Sequence, residues 1–113
     1  MSTQSQQGGP SEPFERISVD QAKALIDAGT VQLVDVRETS EWDQGHISGA
    51  ILMPVNDVIT RTDELDGSRP ILFHCAMGVR SALACEMAAA FGHTDLYNME
   101  GGFDEWKKKG YPW

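Results

Sequence analysis

The sequence predicts an α/β domain built on a mainly parallel sheet with helices on both faces, and three observations carry that prediction. Strand-like and helix-like segments alternate at short spacing along most of the chain. The runs at residues 31–36 and 71–74 are almost unbroken in apolar side chains, the pattern of strands covered on both faces. The segments between strands carry helical spacing and helix-ending glycines, so consecutive strands are joined by right-handed crossovers and run parallel. In such a sheet the ligand site lies beyond the carboxyl ends of the strands.

Taken in order, Ser2 to Pro13 is rich in Gln, Ser, Gly and Pro and reads as a disordered leader ahead of a domain at residues 14–113. Ser18-Val19-Asp20-Gln21 has the form of a capping box, and Val19, Ala22, Leu25 and Ile26 recur at helical spacing until Gly29. A strand follows over residues 31–36. A short helical turn is expected at residues 40–44, then a short strand at residues 50–54 closed by Pro54. Asn56 or Asp57 is a candidate cap for a further turn through Ile59 and Arg61, and Asp66-Gly67-Ser68 is a turn. Residues 71–74 form a strand that Pro70 can only begin. The alanine-dense stretch at residues 79–91 is a helix ended by Gly92. Residues 95–99 are a short strand, and a last amphipathic helix runs over residues 103–109 with Phe103 and Trp106 on one face.

At 113 residues, 41% hydrophobic and 23% charged, the chain has room for one core and no second domain. A formal charge of −8 argues against nucleic acid or an anionic membrane surface as partner. The basic run Lys107-Lys108-Lys109 reads as the solvated last turn of a helix. The start lacks a signal-peptide pattern and no apolar run has membrane-spanning length, so a cytoplasmic protein is expected. Two cysteines make no disulfide scaffold, and His46, His74 and His93 show no zinc spacing. Neither a metal nor another cofactor is expected.

The chemistry concentrates in Pro70 to Ala82. An apolar strand ends on Cys75, and the loop Ala76-Met77-Gly78-Val79-Arg80-Ser81 leads into a helix. Amide N–H groups at a helix start have no intrahelical partner and sit at the positive end of its dipole, so both favour a thiolate. The thiolate is the reactive form, which makes Cys75 the candidate nucleophile and its loop an anion cradle.

Asp35-Val36-Arg37-Glu38, Glu41-Trp42, Gly45-His46-Ile47-Ser48-Gly49-Ala50, Met53-Pro54, Cys75-x-x-Gly78-x-Arg80-Ser81 and Glu100-Gly101-Gly102-Phe103-x-x-Trp106, in that order, resemble a single rhodanese domain over residues 14–113. The resemblance implies a five-stranded sheet of rhodanese type and a sulfurtransferase that carries sulfane sulfur as a Cys75 persulfide. Its partners would then be a small-molecule or protein persulfide donor and a thiol acceptor or cyanide.

On that reading the N–H groups of Met77 to Ser81 face the transferred sulfur, and Gly78 lets the loop bend. Arg80 either holds an anionic donor or pairs with a carboxylate. Ser81 caps the helix by its hydroxyl or closes the loop by its N–H. His74 adjoins the nucleophile, but strand neighbours point to opposite faces, which favours a packing role. His46 is expected to be structural, Asp35 and Arg37 to form a structural salt bridge, and Cys85 to be a small core residue.

Three other readings stand beside this one. Cys-dependent phosphatases and arsenate reductases also use a cysteine loop ending in arginine, but four residues separate Cys75 from Arg80, one fewer than in phosphatase relatives of the fold. A non-catalytic interaction module would lack the cysteine. A redox sensor would need a resolving thiol, and Cys85 is placed too far along its helix for that.

Overall fold

Ile71-Leu72-Phe73-His74 is the central strand of the sheet and divides the core in two. The computed structural model describes residues 11–113. Its strands are β1 (Glu15–Ile17), β2 (Gln32–Asp35), β3 (Ile51–Leu52), β4 (Ile71–His74) and β5 (Leu96–Met99), all parallel in the order β1-β5-β4-β2-β3. The helices are α1 (Val19–Asp27), α2 (Thr39–Asp43), α3 (Val58–Arg61), α4 (Val79–Ala90) and α5 (Gly102–Lys108). The expected α/β class, parallel sheet and two-sided helix packing are all present.

Side-chain alternation along β4 explains the two cores. Ile71, Phe73 and Cys75 pack with Val58, Ala84 and Ala88, on the side of α3 and α4. Leu72 packs with Val19, Ala22, Phe103 and Trp106, on the side of α1 and α5. Leu72 and Phe73 are both fully buried, and each such side chain contributes ~1.5–3 kcal/mol of transfer free energy.

Local signals fix the element ends. The Ser18 hydroxyl accepts from the Gln21 N–H at 3.1 Å, and the Gln21 side chain accepts from the Ser18 N–H at 2.9 Å, the reciprocal cap the sequence suggests. At the other end of α1, Gly29 has φ +71°, its N–H reaches Ile26 O, and the Thr30 N–H reaches Leu25 O. That pairing satisfies carbonyls the helix leaves open.

The structure corrects two readings. β1 was not foreseen in the residues: Glu15 and Arg16 are exposed and only Ile17 is buried, so a three-residue edge strand shows almost no pattern. Asp57 stands at the N-cap position of α3 but makes no side-chain cap bond, and Asn56 lies within a 3-10 turn at Val55–Asp57 that runs into that helix. The expected leader falls largely on residues 1–10, which lie outside the described residues; next to the domain, Glu12 accepts hydrogen bonds of 2.7 and 2.8 Å from Arg16. The lysine run is the exposed last turn of α5, as expected, with Lys107 Nζ 4.9 Å from the Phe103 ring centre and Lys109 donating to Asp20 at 3.0 Å. Among the described residues no helix is long and apolar enough to cross a membrane.

Candidate active site

Cys75 leaves the carboxyl end of β4, and Gly78, with φ +98°, turns the chain into α4. That left-handed conformation is open to glycine at little cost. The loop closes on the sulfur. The Gly78 N–H donates to Cys75 Sγ at 3.2 Å, and Ser81 Oγ lies 3.5 Å from it. Burial by itself would push the thiol up; the Ser81 hydroxyl and the amides of Ser81, Met77 and Gly78 outweigh it and hold Cys75 below its ordinary value. Of the amides expected around the sulfur, that of Gly78 makes the hydrogen bond, while those of Met77 and Ser81 add to the lowering of the thiol pKa. Ser81 does not cap α4 by its hydroxyl, since Gly78 occupies the cap and the hydroxyl faces the sulfur.

The rim and floor of the loop differ in character. Cys75 is buried at 1% exposure, whereas Met77 and Val79 project at 67% and 74%. Cys75 therefore sits at the bottom of a narrow cup with apolar lips. Arg80 is at the edge, bound through Nη1 and Nη2 to Glu41 Oε1 and Oε2 at 2.7 and 3.0 Å. That pairing, and to a lesser degree the charge of Cys75, raises the Arg80 pKa further.

Three supports hold the loop from behind, and the residue reading foresaw none of their roles. The N–H groups of Phe103 and Asp104 donate to Cys75 O and Ala76 O at 2.8 and 3.0 Å. This close approach requires Gly102, because a Cβ there would lie 2.5 Å from both carbonyl oxygens. Asn98, fully buried on β5, donates from Nδ2 to Gly78 O at 3.2 Å and also to the Glu100 carboxylate, which pairs with Arg16. The Gly101-Gly102 pair was visible as a motif; the Asn98 contact had no signal in the sequence.

The opposite face of β4 keeps a charged cluster away from the sulfur. Asp35 and His74 are register partners, and the Asp35 carboxylate binds the Arg37 guanidinium at 2.8 to 3.1 Å. Arg37 also donates to Gly45 O at 2.8 Å and lies over the Phe103 ring. This is the expected structural salt bridge. His74 Nε2 is 3.7 Å from Asp35 Oδ2, while Nδ1 lies 3.3 Å from Cys75 O. Burial drives the His74 pKa down against the pull of Asp35, leaving a neutral ring packed on the face of β4 away from the sulfur. His46 stacks on Trp42 at 3.5 Å and bonds the Trp42 carbonyl. Cys85 is fully buried on α4, and burial pushes its thiol up to about 12.

The model of the rhodanese-like domain matches residues 18–109, which takes in β2 to β5, the cysteine loop and all of α5. The chain belongs to the rhodanese-like domain family. Among curated relatives it is 31% identical to the thiosulfate sulfurtransferase GlpE of Shewanella oneidensis, over 82% of this chain and 92% of that protein. It is 38% identical to the Bacillus subtilis protein YqhL over 69% of this chain, an alignment that spans only 62% of YqhL. Among solved structures, the human single-domain sulfurtransferase TSTD1 superposes with a TM-score of 0.73 at 27% identity, covering 83% of this chain and 96% of TSTD1. The rhodanese fold and its sulfurtransferase kinship follow from these matches.

Proposed function

We propose that this rhodanese-like domain is a sulfurtransferase that moves sulfane sulfur from thiosulfate or a persulfide donor to a thiol or cyanide through a Cys75 persulfide. The observation that carries the reading is the sulfur held by the Gly78 amide and the Ser81 hydroxyl inside a four-residue loop, with its thiol acidified. The Cys75 thiolate attacks the outer sulfur of the donor, and the donor S–S bond breaks. Its electron pair leaves with sulfite, or with the donor thiolate when the donor is a persulfide. The new terminal sulfur takes the negative charge at the mouth of the loop, where the amides of Met77, Gly78 and Ser81 stabilise it. An acceptor thiolate or cyanide then attacks that sulfur, and the electron pair of the broken bond returns to Cys75 as thiolate. Two free cysteines suit a reducing compartment such as the cytoplasm.

Intact mass after incubation with thiosulfate tests the reading. The expected result is the gain of one sulfur atom at Cys75, released by cyanide or dithiothreitol. No gain from thiosulfate or from a persulfide donor, or a gain carried by Cys85, would overturn it.

A further inference from the structure

A cleft of about 220 Å³ opens beside the cysteine loop, with Ala76 in its wall. Four charged side chains line it: Arg37, Glu41, Asp104 and Lys107. Two of them are committed elsewhere, Arg37 to Asp35 and Glu41 to Arg80. The other two have no ion-pair partner among the described residues. Lys107 and Asp104 are three apart on α5 yet do not pair with each other, because the Lys107 ammonium lies over two aromatic rings, 4.9 Å from the centre of Phe103 and 6.0 Å from that of Trp113. Those rings meet edge to face at 5.3 Å and form an apolar wall of the same cleft. The cleft thus offers one available cation, one available anion and an organic surface. It adjoins the cysteine loop through Ala76, and Glu41 in its wall holds Arg80 of that same loop.

We infer that this cleft is the acceptor subsite of the sulfurtransferase proposed above and selects a small thiol bearing an amino acid's ammonium and carboxylate, with Lys107 on the carboxylate and Asp104 on the ammonium. The inference rests on that reading of Cys75. A compact inorganic donor has no use for aromatic walls or for a carboxylate such as Asp104; a zwitterionic organic thiol uses all three features. In the step concerned, the acceptor thiol loses its proton to solvent and its sulfur attacks the outer sulfur of the Cys75 persulfide. The S–S bond breaks, its electron pair returns to Cys75, and the acceptor departs as a persulfide.

The test isolates that half-reaction. Persulfidated protein is mixed with cysteine, 3-mercaptopropionate, cysteamine or 2-mercaptoethanol, and loss of the extra sulfur is followed by mass. Comparing each variant with wild type for the same thiol cancels intrinsic nucleophilicity. Lys107→Gln should slow cysteine and 3-mercaptopropionate by roughly tenfold, the size of one charge-assisted contact, and leave the other two thiols unchanged. Asp104→Asn should slow cysteine and cysteamine alone. Equal effects on all four thiols, no effect on any, or a loss confined to sulfur uptake from thiosulfate would overturn the subsite.

A second measurement needs no turnover. S-methylcysteine should perturb a fluorescence signal that Trp113→Phe removes, and the response should vanish in Lys107→Gln and survive in Lys108→Gln. Absence of that response in wild type overturns the subsite. Absence of sulfur uptake with S-methylcysteine still bound overturns the reaction and leaves the cleft standing.

Discussion

Arg80 and Glu41 are joined by two parallel hydrogen bonds, 2.7 and 3.0 Å long, at the edge of the loop that holds Cys75. The residue that most invites the role of anion receptor is therefore already engaged by a carboxylate. The bonds from Arg80 hold the Glu41 carboxyl down at about 2, against the opposing effect of burial. A donor oxyanion must share or displace Glu41 to use this cation, while the loop amides remain free to act alone.

Glu41→Gln should release the guanidinium and lower the KM for thiosulfate by roughly threefold, in line with a pair that is a third exposed and worth under ~1 kcal/mol. Arg80→Ala should raise KM more than it lowers kcat. The pair also has a pH signature. Because the folded pKa of Glu41 is depressed, its stabilisation is complete above the ordinary carboxylate range near 4.5 and is lost as pH falls toward about 2. The difference in Tm between wild type and Glu41→Gln should shrink across that window and stay constant from pH 5 to 8. A constant difference down to pH 2 would remove the pair from the account.

The two cysteines should behave as different chemical species. Cys75 is acidified and Cys85 is pushed up to about 12, so only Cys75 should react with methyl methanethiosulfonate at pH 7 in the folded protein. Because Cys75 is 1% exposed, a bulky aromatic disulfide should label it far more slowly than the small reagent. Cys75→Ser should abolish persulfide formation, and Cys85→Ser should retain most of it. Sulfite should protect Cys75 from labelling through the same amides. Peptide mapping of the labelled protein decides between the thiols.

Much of this site was legible because its signals are local. The strand ending on Cys75, the glycine that turns the loop and the alanine-rich helix lie within one stretch of sequence, and Arg37 follows Asp35 by two positions, just past the end of β2. What escaped is what depends on distant segments meeting. β1 pairs with β5 across 82 residues in register, Glu15 with Tyr97, and its two exposed residues carry no apolar alternation. Asn98 reads as one more polar residue in a short strand until β5 is placed beside β4 and its amide reaches Gly78 O. The balance between Arg80 and Glu41 could not be decided either, since 39 positions separate them and only folding puts α2 against the loop.

Gly102 is the sharpest steric constraint behind the loop. With φ +59° and a Cβ position 2.5 Å from the carbonyl oxygens of Cys75 and Ala76, Gly102→Ala must either move α5 off the loop or move the loop. Both outcomes break the bonds from Phe103 and Asp104. Gly110→Ala is the matched control, having φ +74° with nothing within 4 Å, so it carries only the backbone penalty of ~1 kcal/mol. The expected result is a large loss of both Tm and persulfide formation for Gly102→Ala and a small loss of Tm alone for Gly110→Ala. Equal behaviour of the two variants would contradict the close approach.

Asp35 compensates a guanidinium that is 5% exposed. Asp35→Asn leaves that charge in the core and should cost ~3–5 kcal/mol, the usual consequence of removing one partner of a buried pair. Asp35→Leu combined with Arg37→Met removes both charges and should cost less than the sum of the single variants. Urea denaturation of the four proteins completes the cycle. Additive losses would show that the pair has no coupling worth the name.

The length of the loop separates sulfur from phosphoryl chemistry. The ring is pinned at one end by Phe103 and Asp104, which hold the carbonyls of Cys75 and Ala76, and in the middle by Asn98, which holds that of Gly78. A residue inserted between Gly78 and Val79 can therefore be accommodated only by widening the segment that leads to Ser81. That withdraws the Ser81 hydroxyl and amide from the sulfur, and losing even one well-aimed donor costs ~10²-fold in rate. The insertion should weaken persulfide formation by about that factor while the Gly78 amide still lowers the thiol pKa. A wider ring would admit phosphate, yet His74 is buried, neutral and on the opposite face of β4, so it cannot serve as the general acid that phosphate ester cleavage needs. The unmodified protein should accordingly turn over thiosulfate and leave an aryl phosphate untouched. Hydrolysis of the aryl phosphate that disappears in Cys75→Ser, together with no sulfur gained by mass, would show that the loop is built for a tetrahedral oxyanion after all.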